Sequence, residues 1–196
     1  MENDLKKDYQ RQKSKLKRNI LNKKNLEAPI TLEKNLLELK NFIKYKIIAS
    51  YLSTNSELST KFLNKFLLNN KKILCLPVVK NNSKILSFKK YNLNSKLVKG
   101  KFGIFEPVKS GKNLLPEIIL TPCLAFDMTG FRLGYGGGYY DKTITYLKKK
   151  KHKFISIAIA FDDQKVKNVI HNNYDQRIDY ILTEKKLYRA KWKLFS

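Results

Sequence analysis

Apolar residues fall along the chain in two patterns, helix-spaced stripes and short continuous runs, and the two alternate. Residues 5–26 show helical spacing on a strongly basic background, with Leu16, Ile20 and Leu21 forming a narrow apolar stripe. A second helix is predicted over 31–45, with Thr31 as its N-cap and Leu36, Leu37, Leu39, Phe42 and Ile43 apolar. Residues 47–52 read as a short buried strand running into a polar loop over 53–57, and helical spacing returns over 60–69. A strand over 73–76 is stopped by Pro77. A further strand over 85–88 is antiparallel and near an edge, because Asn81-Asn82-Ser83 is a turn signal. Residues 97–117, punctuated by Gly100, Gly103, Pro107, Gly111 and Pro116, predict an irregular segment long enough to be functional or a lid. Residues 118–126 form an apolar run that reads as a buried strand, and 154–161 form the clearest strand, apolar on both faces as in a parallel sheet. Residues 180–182 predict the last strand, and 190–196 a tail. Alternating strands and helices imply one α/β domain spanning 1–196, a three-layer sandwich around a mostly parallel sheet, with 1–28 as a basic helix packed on it.

In such folds ligands bind beyond the carboxyl ends of the strands. Glu57 follows the first strand, Asp162 follows the strand over 154–161, and a glycine-rich loop follows the run over 118–126. That loop lies in LTPCLAFDMTGFRLGYGGGYYD, residues 120–141, and it leads into helical spacing that ends near 148–151. Gly134, Gly136, Gly137 and Gly138 are four of the chain's eight glycines. A strand, a glycine loop and a helix start together form a phosphate cradle: backbone N–H groups converge on an anion, and Arg132 adds a full charge. The loop has neither the Lys-Ser/Thr ending of a P-loop nor the spacing of a dinucleotide site. Read residue by residue, other roles stay open: a surface turn for the glycines, helix-dipole stabilisation for Asp141, a turn for Asp175, a solvated charge for Glu57, and packing for Tyr139 and Tyr140.

Charge changes this picture only a little. The 196 residues carry 41 Lys+Arg against 16 Asp+Glu, a formal net charge of +25. The excess is nearly all lysine, spread along the chain among many Asn and Ile, and lacks the arginine-and-aromatic texture of RNA-binding segments. No dedicated nucleic-acid partner is expected, although the field attracts small polyanions. An RNA- or ribosome-associated protein remains the rival reading, and another enzyme of this fold the second. Neither a secretory signal nor a membrane span is expected. Cys75 and Cys123 sit in apolar runs and read as buried free thiols of a cytoplasmic protein. His152 and His171 lie in polar surroundings and are not read as catalytic.

The stretch LAFDMTGFRLGYGGGYYD resembles the signature of the 5-formyltetrahydrofolate cyclo-ligase (methenyltetrahydrofolate synthetase) family, and the similarity extends from the basic N-terminal helix to Glu184. The resemblance implies a fold of the ribose-5-phosphate isomerase/CoA-transferase kind, with ATP and 5-formyltetrahydrofolate as partners and Mg²⁺ as cofactor. It also implies a monomer that closes 5-formyltetrahydrofolate to 5,10-methenyltetrahydrofolate with release of ADP and phosphate. In that family a Lys-x-x-x-Arg pair of the N-terminal helix binds ATP phosphates. The matching position is taken as Lys13-Ser14-Lys15-Leu16-Lys17, with Lys17 in place of the arginine and Arg18 beside it. Arg132, Leu133, Gly134, Tyr135, Gly136, Gly137, Gly138, Tyr139 and Tyr140 match the ATP loop, with Arg132 and Lys17 expected to act on the transferring phosphate. The folate site matches Leu52 and Glu57 together with Tyr135 to Tyr139 of the loop, and Asp141 and Asp175 match magnesium ligands. FGIFEP (102–107) and AFDDQ (160–164) are also similar to family stretches, whereas Val78 stands where many members carry an arginine after Pro77.

Overall fold

The computed structural model describes residues 2–80, 82–108 and 110–191. Asn81 of the anticipated turn and residues 192–196 of the anticipated tail lie outside them. In chain order the elements are α1 (Glu2–Lys24), α2 (Leu32–Leu36), β1 (Ile47–Ala49), α3 (Lys61–Asn69), β2 (Ile73–Val78), β3 (Ser87–Lys90), β4 (Leu97–Lys99) and β5 (Phe105–Pro107). They continue with β6 (Ile118–Pro122), β7 (Ala125–Phe126), β8 (Arg132–Leu133), α4 (Tyr139–Lys149), β9 (Ile155–Ile159), β10 (Tyr180–Leu182) and β11 (Leu187–Arg189). Seven strands form the main sheet in the order β11-β10-β9-β6-β1-β2-β3. The five central strands are parallel, and β3 and β11 close the edges antiparallel. The mostly parallel α/β sandwich expected from the alternating runs is the architecture found.

The two faces of the sheet follow from the period-2 alternation of each strand. Ile48, Leu74, Ile118, Leu120, Ile157, Ile159 and Leu182 point to one side, where Leu32, Leu36, Leu63 and Leu67 of α2 and α3 pack on them. Ala49, Cys75 and Ile119 point to the other side, under Leu147 of α4. With α4 on this face and α2 and α3 on the other, the result is three layers.

Several boundaries differ from those expected. The helix predicted over 31–45 stops at Leu36; a 3-10 turn, Phe42–Lys44, follows Asn41, whose φ is +61°. Thr31 does not cap: its hydroxyl donates to the Glu184 carbonyl at 2.7 Å and the Ala28 carbonyl at 3.1 Å. Pro77 does not stop β2 but sits inside it, opposite Phe88. Registered pairing with β1 ends at Cys75, so a residue without an N–H orphans nothing on that side. Residues 97–117 are not irregular throughout: β4 and β5 pair as a hairpin around Lys101–Gly103. The apolar run over 118–126 is two strands, β6 and then β7, which turns back through β8 before the glycine loop begins. A last strand, β11, follows β10.

The largest departure is in α1. Leu16 and Ile20, two of the three residues of its apolar stripe, are 66% and 54% exposed. The buried residues are Lys7, Ser14, Arg18 and Leu21. With half-buried Arg11, the positions 7, 11, 14, 18 and 21 trace one helical face at spacings of four and three. Thus α1 turns its polar stripe inward and its leucine-rich one outward. Among the described residues no helix is long and apolar enough to cross a membrane. Leu16→Ser and Ile20→Ser are expected to change unfolding free energy by less than about 0.5 kcal/mol. Leu21→Ala, which opens the core, should cost about 2 kcal/mol or more. Urea titration of the three variants checks this; equal losses at 16 and 20 would show a stripe packed inward.

Candidate active site

The parallel order of β1, β6 and β9 sends the loops after all three strands to one edge of the sheet, and α1 crosses that edge. Near its start, Asn3 donates to the His171 carbonyl at 3.3 Å, and Lys7 donates to Asp175 Oδ2. Gln10 accepts from Ile170 N at 2.9 Å and donates to the Asn168 carbonyl at 2.9 Å. In the middle of α1, Arg11 Nε donates to the Gly134 carbonyl at 3.2 Å, and its guanidinium lies against Gly136. Arg18, only 1% exposed, reaches between the loop after β1 and the glycine loop. It donates to Ser56 Oγ (3.2 Å), the Cys123 carbonyl (3.3 Å) and Tyr135 Oη, and lies 3.9 Å from Glu57 Oε1.

Glu57 is the buried acceptor at this junction. Its Oε2 takes the Thr54 backbone N–H at 2.8 Å, and its Oε1 takes the hydroxyl of Tyr135. The Tyr135 ring is half exposed while its hydroxyl turns inward, so the ring forms a wall and its oxygen a tie. Burial first, and then the charge of Glu57, push the Tyr135 phenol well above its ordinary pKa, and Tyr51 and Tyr140 shift the same way for the same reasons. Three neutral tyrosines therefore border an acid–base pair. Leu52 is half-buried on the same loop. Beneath the site Gln164 donates to the carbonyls of Cys123 (3.0 Å) and Leu124 (2.9 Å), holding the β6–β7 corner. Buried Asp127 accepts from Thr129 N (2.8 Å), Thr129 Oγ1 (2.6 Å) and Val169 N (2.8 Å), which fixes the β7–β8 turn. Cys75 and Cys123 are free, and burial pushes each thiol up to about 12, so neither is a nucleophile at neutral pH.

The glycine loop runs from β8 into α4. Gly136 and Gly138 have φ of +96° and +69°, and Gly138 is the residue from which α4 starts, with no side-chain cap. A side chain at Gly137 would meet the Tyr139 ring at 2.8 Å. The loop thus takes backbone angles that favour glycine just where the first-turn N–H groups of α4, which have no acceptor inside the helix, begin. Phe102, at the tip of the β4–β5 hairpin, meets the Tyr139 ring edge-on at 5.8 Å between centroids. Arg132, 6% exposed, donates to Asp141 Oδ1 at 2.9 Å and to the Gln176 carbonyl at 3.4 Å. Asp141 Oδ1 also accepts from Gln176 N at 3.0 Å, and Asp175 Oδ2 accepts from Asn172 N at 2.7 Å beside Lys7. Among the described residues no three His, Cys, Asp or Glu side chains cluster as a metal cage.

Of the expected site residues, the structure gathers Glu57, Arg132, the glycine loop, Asp141 and Asp175 at one edge. It does not gather the helical ones: Lys13, Lys15, Leu16 and Lys17 face solvent, and only Ser14 is buried. Lys13 and Lys17 lie roughly 120° and 80° around the helix from the centre of the inward face, which is set by 7, 11, 14, 18 and 21. The Lys-x-x-x-Arg spacing occurs instead at Lys7 and Arg11, a signal that was available in the sequence. Arg18 is not a partner of Lys17 at the surface but the buried cation of Glu57. Asp162 is taken up by Tyr188 Oη and Thr183 Oγ1 (3.2 Å), and Val78 is buried in β2. Removing the Arg18 charge leaves Glu57 buried and unmatched, so Arg18→Ala should lose about 3–5 kcal/mol of unfolding free energy. Chemical denaturation measures it; a loss under about 1 kcal/mol would show that Arg18 is not held as described.

With this geometry in place, the comparisons with known proteins converge. The model of the 5-formyltetrahydrofolate cyclo-ligase family matches residues 4–184. A 5-formyltetrahydrofolate cyclo-ligase of Haemophilus influenzae is 34% identical over 166 residues, covering 82% of this chain and 88% of that protein. The Escherichia coli K12 cyclo-ligase is 32% identical over 146 residues, covering 72% and 79%. Among solved structures, the 5,10-methenyltetrahydrofolate synthetase of Aquifex aeolicus superposes with a TM-score of 0.78 at 30% identity, covering 94% of this chain and 93% of that one. The synthetase of Mycoplasma pneumoniae, at 20% identity and a TM-score of 0.68, shares the fold. A family match over residues 4–184, together with a relative 34% identical over most of both chains, settles the kinship: the chain belongs to the 5-formyltetrahydrofolate cyclo-ligase family.

Proposed function

We propose that the protein closes 5-formyltetrahydrofolate to 5,10-methenyltetrahydrofolate by phosphorylating the formyl oxygen with ATP, and that it does so at the edge roofed by α1. The observation that carries this reading is the convergence of Lys7, Arg11, Arg132 and the glycine-loop amides beside a buried, hydrogen-bonded Glu57. A formamide oxygen leaves poorly, so N10 cannot expel it. Transfer of the γ-phosphoryl group forms an O–P bond to the formyl oxygen and breaks the bond to ADP. Attack of N10 on the formyl carbon, loss of the N10 proton and departure of phosphate then complete the ring.

Each step needs positioning and charge compensation more than covalent help. Lys7 and Arg11, in the N-terminal half of α1 next to Asp175 and the loop, take the phosphate role expected of Lys13 and Lys17. Arg132, buried at the entrance to the loop, faces the transferring group. Glu57, acceptor-only when ionised, receives N–H donors of the pterin, with Leu52 and the Tyr135 ring as walls. Asp141 and Asp175 fit Mg²⁺ by their chemistry: each gathers its hydrogen bonds on one oxygen, leaving the other as a ligand, and Mg²⁺ is held by one or two carboxylates with phosphates and water. A metal held there by Asp141 and Asp175 would supply charge neutralisation for the transferring phosphate. No group is needed as a covalent nucleophile.

The test is folinate- and ATP-dependent appearance of methenyltetrahydrofolate absorbance. Arg132→Ala should lower kcat about 10²–10³-fold, the usual effect of removing one transition-state donor. Lys7→Ala and Arg11→Ala should raise the KM for ATP at least roughly tenfold while Lys13→Ala and Lys17→Ala stay within about twofold. The reverse ranking would return the phosphate site to the outer face of α1. Glu57→Gln should raise the KM for 5-formyltetrahydrofolate about tenfold or more with little change in that for ATP; a selective ATP defect would remove Glu57 from the folate site.

A further inference from the structure

On the reading above, Lys7 and Arg132 belong to the phosphates, and Asp141 and Asp175 to the metal. As folded, these four groups satisfy one another. Lys7 is paired with Asp175, their side chains 7% and 18% exposed, and Arg132 with Asp141 at 2.9 Å, 4% and 19% exposed. Both pairs are cross-linked through one short segment: Gln176 offers its N–H to Asp141 and its carbonyl to Arg132, and Asp175 is its neighbour in the chain. Lys7 and Arg132 therefore each already have a counter-charge, and that counter-charge is a proposed metal ligand, whereas Arg11 pairs with Asp8 of its own helix.

A triphosphate that arrives alone takes the two cations and strands two largely buried carboxylates next to its own negative charge. A magnesium ion that arrives alone takes the carboxylates and strands two buried cations. Breaking one half of a buried pair is the costly event, because the group left behind has lost water without gaining a partner. Only when both arrive is every group matched again, phosphates on Lys7 and Arg132 and the metal on Asp141 and Asp175. We propose that the site is an ion exchanger: two internal ion pairs open together to admit the metal–nucleotide complex, and they hold off free nucleotide and free metal alike. This inference rests on the proposed function and adds a selection rule to it.

Direct coordination and ion exchange predict different effects of an aspartate substitution when no metal is present. If the aspartates serve only as ligands, metal-free ATP is indifferent to them. If they lock the cations, their removal unlocks the site. Calorimetric titration of the full chain without folate should show MgATP binding roughly 50-fold more tightly than ATP in EDTA, in the range of ordinary site–site coupling. MgCl₂ alone should give no saturable heat. Asp175→Asn and Asp141→Asn should each bind metal-free ATP about tenfold more tightly than the unaltered protein and lose most of the metal advantage. An unchanged or weakened affinity for metal-free ATP overturns the proposal. So does a gain within about twofold, the size produced by deleting a screened charge in the neighbourhood. If either Asn variant is unfolded by circular dichroism, Lys7→Gln supplies the converse: it should create binding of MgCl₂ in the absence of nucleotide, and no such binding overturns the exchange. Failure of the unaltered protein to bind MgATP sinks the proposed function; equal binding with and without metal sinks the exchange alone.

Discussion

A guanidinium buried to 1% exposure has to be matched on every side, and Arg18 sets the terms for the rest of the site. Its five donors cannot be left dry, so the loop after β1 supplies Ser56 and Glu57, the β6–β7 corner supplies a carbonyl, and the glycine loop supplies Tyr135. Three loops from separate strands are thereby held to one helix. Without that requirement the loops would share a sheet edge but have no fixed mutual geometry. An arrangement of this kind gains little net stability over an apolar one, and its benefit lies in specifying position.

The parallel sheet makes the convergence possible. Strands β1, β6 and β9 run the same way, so chemistry carried after each of them arrives at the same edge. Helix α1 then works as a roof whose inward residues are polar: Lys7 over the segment around Asp175, Arg11 over the glycine loop, Arg18 over Glu57. Leu5, Leu16 and Ile20 lie outside because the edge the helix covers is made of carbonyls, carboxylates and hydroxyls. Inside the site the same logic produces mutual pairing of cations and carboxylates, Lys7 with Asp175 and Arg132 with Asp141.

Much of the fold was legible. The strand over 154–161 and the alternation of strands with helices marked a parallel sheet, because continuous β-branched runs are what two-sided burial selects. The glycine loop was legible as a turn between a strand and a helix start, and its long signature identified the family. Where reading failed, a local rule met a tertiary exception. Pro77 was taken for a stop, yet it lies where β1 no longer pairs with β2. Thr31 was taken for a cap, yet its hydroxyl is claimed by Glu184. The stripe of Leu16, Ile20 and Leu21 splits, with only Leu21 turned inward.

By itself the sequence determined the layered α/β architecture and the position of the glycine loop, since these depend on periodicity, glycine content and local spacing. Tertiary structure alone decided which face of α1 turns inward, and with it that Lys7, Arg11 and Arg18 reach the site while Lys13 and Lys17 do not. The physical reason is that a helix face is buried by whatever it meets. Here it meets unsatisfied charge and hydrogen-bonding groups at a sheet edge, a demand that belongs to residues more than 30 positions away and leaves no mark in the helix's own hydrophobic pattern.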